Sequence, residues 1–107
     1  MGAFRVRLLG EARDDLRRLE DFLLERELMS RSPDWEVTER ALAAIRSAMQ
    51  FLALSPYTCR KAHLGNGRVR ELVIPFGTSG YVALFEIVAD EVIVVAVRHQ
   101  REQDYRH

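Results

Sequence analysis

The sequence predicts an α+β fold, ordered β-α-α-β-β-β, with a two-helix hairpin packed on one face of a largely antiparallel sheet. Three observations carry the prediction. Apolar residues alternate at the start of the chain, recur at helical spacing through two long central segments, and then gather in three aliphatic runs separated by turn residues. With 107 residues, the chain fits one domain, 1–107, around one core.

Phe4, Val6 and Leu8 alternate with Arg5 and Arg7, the pattern of a short half-buried strand. From Glu11 the period changes. Ala12, Leu16, Leu19 and Leu23 share a helical stripe, and Glu11, Asp14 and Asp15 stand in the first turn, where the helix dipole favours acids. That helix runs to about Leu28. MSRSPD breaks the pattern, and Ser32 with Pro33 forms an N-cap and first-turn pair for the next helix. Along it Trp35, Thr38, Leu42, Ile45, Met49 and Leu52 make one seam, and Val37, Ala41, Ala44, Ala48 and Phe51 a second. Two stripes imply two neighbours: the first helix, reached by a short connection, and a sheet. Leu54-Ser55-Pro56 ends this helix, and YTCRKAHLGNGR reads as a loop. An antiparallel meander completes the chain. Its strands are Val69 to Phe76, Tyr81 to Val88 after the turn Gly77-Thr78-Ser79-Gly80, and Val92 to Arg98 after Ala89-Asp90-Glu91.

Composition excludes several classes of function. Lys and Arg total 16, as do Asp and Glu, so no net field draws the molecule onto nucleic acid or an anionic membrane. No apolar run approaches the roughly 20 residues that span a bilayer, and the opening residues lack the apolar core of a secretory signal. A cytoplasmic location is expected. One cysteine, Cys59, permits no internal disulfide, and with His63 it offers two metal ligands where a zinc site wants three or four, so no metal and no cofactor are expected.

Setting Phe76 opposite Tyr81 and Val88 opposite Val92 sorts the meander into two faces. Leu72, Ile74, Phe76, Tyr81, Ala83, Phe85, Ile87, Ile93, Val95 and Val97 fall under the helices, with His99 at the rim beside Tyr81. The other face collects Val69, Val73, Pro75, Val82, Leu84, Val88, Val92, Val94 and Ala96, interrupted by Glu71, Glu86 and Arg98. Two helices cover one side only. Aliphatic groups left outside, each worth about 1.5 to 3 kcal/mol on full burial, mark a partner surface. The plainer alternative is that β propensity alone accounts for the extra valines, half shielded by long neighbours. In this register Glu71 and Glu86 are cross-strand neighbours, read as partners for Arg5, Arg7 or another molecule's cations rather than as an acid–base pair.

The last strand leaves the sheet through Arg98, His99, Arg101 and Glu102, with Tyr105 close behind. A metal-free RNA-cleaving site needs a general base, a general acid and cations, and His99, Tyr105, Arg98 and Arg101 have that chemistry. Charged residues also gather at strand ends for solvation or docking, and no neighbouring group that would orient His99 is visible. Arg70 lies at the far end of the meander, roughly 20 Å away at 3.3 Å per residue.

The order of elements and five local strings together resemble the RelE/ParE superfamily of bacterial toxins from type II toxin-antitoxin systems. The strings are A-x-x-DL at Ala12 to Leu16, LSP at Leu54 to Pro56, VREL at Val69 to Leu72, FGTSGYV at Phe76 to Val82 and RHQREQDY at Arg98 to Tyr105. RelE-like members cleave messenger RNA on the ribosome with lysines before the S-G-Y turn, an arginine after it, and an arginine and tyrosine near the C-terminus. Here the corresponding positions are Val73, Pro75 and Val82, and Arg101 with Tyr105 remains. The resemblance therefore implies the ParE-like branch: a plasmid-stabilisation toxin that inhibits DNA gyrase by binding and is wrapped by a ParD-like antitoxin in a hetero-oligomer. No catalytic residue and no sequence-specific nucleic acid contact is expected on that branch. Its contacts toward target or antitoxin would be Arg70, Arg98, His99, Arg101, Glu102 and Tyr105. Were the chain instead a RelE-like endoribonuclease, His99, Arg101 and Tyr105 would be the catalytic set.

Overall fold

The alternation at the N-terminus forms β1 (Arg5–Leu8), and the helical stripes form α1 (Gly10–Leu28) and α2 (Glu36–Leu54). The computed structural model describes residues 3–63, 67–77 and 79–100. After α2 come a single 3-10 turn, Pro56–Thr58, and β2 (Arg60–Lys61), then β3 (Arg70–Phe76), β4 (Ser79–Val88) and β5 (Glu91–His99). They make one sheet in the order β1-β5-β4-β3-β2, with β1 parallel to β5 and the other pairs antiparallel. This is the expected α+β arrangement. Within the expected loop the short β2 is an addition: Arg60 pairs with Glu71 and Lys61 with Arg70 at the outer edge of β3.

The hairpin connection differs from the expected cap. Helix α2 starts at Glu36 rather than at Pro33, and no side chain caps it at Trp35. Asp34 does the work instead. Its carboxylate accepts the Glu36 amide at 3.0 Å, while its own amide donates to the buried Glu27 carboxylate at 2.7 Å. Trp35 and Phe51, expected in the α2 seams, are 52% and 42% exposed, while Thr38, Ala41, Ile45, Ala48 and Leu52 are buried. On α1 the buried residues are Ala12, Asp15, Leu19, Leu23 and Glu27, so the stripe is apolar in its centre and acidic at two points.

The β3–β4 register differs from the assumed one throughout, whereas the assumed β4–β5 register holds from Tyr81–His99 to Leu84–Ala96 and slips by one beyond. Phe76 faces Ser79 across two intervening residues, and Ile74 faces Tyr81, a shift of two that leaves each β3 and β4 residue on its expected side. The β4–β5 pair is different. Val88 faces Glu91, and the pairing jumps from Phe85–Val94 to Leu84–Ala96, leaving Val95 as the extra residue of a bulge. A bulge inverts the alternation on one side of itself. Val92 and Val94, expected on the open face, are therefore fully buried in the core, and Ile93 and Val95, expected under the helices, lie outside it. Val97 and His99, beyond the bulge, keep their expected side.

The open face is thus less greasy than expected. Val82 and Ala96 on it are 3% and 5% exposed, and among its described apolar residues Val88, at 51%, and Pro75 are exposed. Exposed apolar surface lies on the helix layer instead, with one group, Phe22 (55%), Leu28 (69%), Met29 (87%) and Trp35 (52%), around the hairpin tip and Leu54 and Tyr57 at the other end. A partner surface is better sought there.

Gly80 is dictated by close approach. A Cβ built on it would stand 2.3 Å from the Ile74 carbonyl oxygen, a backbone atom that cannot swing aside. Gly80→Ala should cost about 1 to 3 kcal/mol, the range for overpacking, read as a lower urea midpoint with unchanged slope.

Candidate functional site: a cleft beneath the hairpin tip

The far end of the β4–β5 pair brings aromatic and cationic groups together. Tyr81 and His99 are direct cross-strand partners, with ring centroids 5.7 Å apart at 87°, and Phe76 stacks on Tyr81 at 6.1 Å. Helix α1 descends over them. Leu19, Phe22, Leu23 and Arg26 recur at i, i+3, i+4 and i+7, so they share one flank of that helix and close one wall. Val37 and Arg40 of α2, with Glu27, close the opposite side of a cleft of about 480 Å³ that His99 and Gly80 floor.

Its charges are unequally committed. Arg40 pairs with Asp34 at 3.0 Å and with Glu36 at 3.6 Å, and the hydrogen bond from Arg40 holds the Asp34 carboxyl below its usual range. Glu27, 8% exposed, already accepts the Asp34 amide. Arg26 has no hydrogen bond or ion pair among the described residues. It acts electrostatically on Tyr81: burial pushes the phenol above its ordinary value, and the Arg26 charge partly opposes that. A group whose folded value is raised stabilises the fold fully below the ordinary tyrosine pKa of about 10, and the contribution is lost as pH climbs through the raised value. In an alkaline absorbance titration one tyrosine should therefore ionise late, and Tyr81→Phe should remove that late step.

The other expected contacts are dispersed. Arg98 faces Val82 on the opposite side of the sheet, half buried, with its Nε lacking a hydrogen-bond partner among the described residues. Arg70 donates to the Cys59 carbonyl at 2.7 Å and lies over the Tyr57 ring, 5.3 Å from its centroid. It pairs with Phe85 in the sheet, four residues along β4 from the partner of His99, which separates the two by about 13 Å along the strand alone. Arg101, Glu102 and Tyr105 lie outside the described residues. Glu71 and Glu86 are not opposite each other: Glu71 faces Leu84 and Glu86 faces Ile93. Nor does Glu71 pair with Arg5 or Arg7. Arg60 holds it at 2.6 Å, while Arg5 goes to Asp90 and Arg7 to Glu91.

Sequence reasoning placed His99 beside Tyr81 but missed Arg26 and Arg40. For Arg26 a signal was present, a cation at apolar-stripe spacing from Leu19 and Leu23.

Comparison with known proteins decides the family. The model of the ParE toxin of the type II toxin-antitoxin system parDE matches residues 6–104. The chain belongs to the ParE toxin family. This ParE-family chain is 32% identical over 98 residues to Toxin RelE3 of Caulobacter vibrioides, covering 92% of the chain and 96% of that protein. Its fold is similar to a chain of the chromosomal ParDE system of P. aeruginosa, with a TM-score of 0.69 at 15% identity, over 91% of this chain and 96% of the other. It is also similar to a chain of the RelBE2 toxin-antitoxin complex of Mycobacterium tuberculosis, at 0.58 and 20%, over 92% and 93% respectively. The ParE-family chain is accordingly a toxin of a type II toxin-antitoxin system. No described helix is long and apolar enough to cross a membrane.

Proposed function

We propose that this toxin acts by binding and inhibiting DNA gyrase, without bond-breaking chemistry of its own, and that a ParD-like antitoxin neutralises it in a hetero-oligomer. One observation carries the reading. Where RelE-like enzymes set cations around the scissile phosphate, this sheet presents Val73, Pro75 and Val82, and Val82 is 3% exposed. Preorganised charges of that kind lower a barrier by about 3 to 4 kcal/mol apiece, and aliphatic groups cannot replace them. The antitoxin is supported by the similar structures, which come from ParDE and RelBE systems. A cytoplasmic location follows from either target.

The rival reading is a ribosome-dependent messenger RNA endonuclease. It is favoured by the cleft, where the imidazole of His99 shares one cavity with Arg26 and Arg40, and by the likeness to Toxin RelE3. Purified protein added to translating ribosomes separates the two. Messages should stay intact, and cuts at defined codon positions that disappear with His99→Ala would establish the nuclease.

A further inference from the structure

The cleft beneath the hairpin tip holds a cation that no described residue neutralises. Arg40 is committed to Asp34 and Glu36, and the one acid lining the cleft among the described residues, Glu27, is buried and already accepts an amide proton. Arg26 is left over. It has no hydrogen bond or ion pair among the described residues, and it stands near enough to the Tyr81 phenol to act on its ionisation. Apolar groups share the walls with the charged ones: Leu23, Val37 and Phe76 line the cavity beside Glu27, Arg40 and His99, and Phe22 is 55% exposed. A guanidinium beside Leu, Val and Phe side chains in one cavity matches a carboxylate attached to, or next to, a bulky apolar side chain. About 480 Å³ accommodates two or three side chains but little more.

Charge balance selects the class of partner. A nucleic acid strand would need several unpaired cations, whereas the other arginine and the acid among the described residues of this cleft are Arg40, already paired with Asp34 and Glu36, and Glu27. One uncompensated cation suits one carboxylate. We infer that this cleft receives an acidic residue and an adjoining bulky apolar side chain of a partner protein, with Arg26 clasping the carboxylate and the aromatic floor taking the apolar group. The inference rests on reading the chain as one half of a protein pair, and it names the anchor on the toxin side.

The test is a nuclear magnetic resonance titration of the full chain with two short peptides, acetylated and amidated, carrying Leu-Asp-Phe or Leu-Asn-Phe at their centre. The Asp peptide should shift the amide signals of Arg26, Gly80 and Tyr81 to saturation. The Asn peptide, or Arg26→Gln, should weaken binding about tenfold, the usual loss for a charge-assisted hydrogen bond. Arg26→Lys should fall between, because it keeps the charge and loses the fork, and Arg13→Gln on the same helix should change nothing. Equal binding of both peptides, no loss with Arg26→Gln, no saturating shift at these amides, or a short oligoribonucleotide filling the cleft in the peptide's place would overturn the inference. Gyrase is absent from this titration, so its failure and the failure of the gyrase reading would be seen separately.

Discussion

Phe85→Ala should cost about 3 to 5 kcal/mol, the range for emptying a fully packed phenylalanine site. Phe85 has no exposed surface and stands at the centre of the β4 strand, between Val94 on β5 and Arg70 on β3, under the helix layer. It is also the residue next to the bulge, so its neighbours are fixed by two different registers and cannot both close on a void. A domain of this size holds about 5 to 15 kcal/mol in total, so the variant should lose a large part of its cooperative unfolding transition. The measurement is a urea melt against wild type. A loss below about 1.5 kcal/mol, that of a mild core trim, would mean the site collapses and the packing described here is wrong.

Asp15→Ala carries the second large effect. β1 ends at Leu8 opposite Val94, so β5 beyond that point has no strand on its outer side. Helix α1 closes the gap. The Asp15 carboxylate, on a residue 7% exposed, accepts the Val97 amide at 2.9 Å and also the Arg18 guanidinium. Removing it strands a buried N–H, worth about 1 to 3 kcal/mol, and frees the helix from the strand end that supports His99. Asp15→Asn keeps an acceptor and should lose less. Hydrogen exchange supplies the direct readout: protection of the Val97 amide should fall in Asp15→Ala beyond the global loss of stability, whereas unchanged relative protection would mean another group holds that amide.

Element order was legible because periods of two and of 3.6 differ, and each long segment obeys one of them. The register of β5 was not. In VIVVAV, from Val92 to Val97, every position is apolar, so alternation carries no phase and a bulge at Val95 leaves no trace in composition. The two-residue turn escaped for a similar reason: Gly77 with positive φ and Gly80 under the Ile74 carbonyl both ask for glycine, and a four-residue turn would ask for the same. Asp15 reads from sequence as an early helical acid, and only the short β1 explains why the fold needs a carboxylate there. Among the site residues, His99 and Tyr81 were legible because the assumed β4–β5 register holds on their side of the bulge. Arg26 could have been read from its spacing; Arg40 could not, since its place depends on where the hairpin sets α2 against α1.

The proposed mode of action is occupation of another protein, DNA gyrase. Purified chain added to DNA gyrase and plasmid should block supercoiling or trap cleaved DNA, and it should do so without RNA present. Gyrase running unhindered, with no cleaved DNA, while the same preparation cuts messages on translating ribosomes would contradict it.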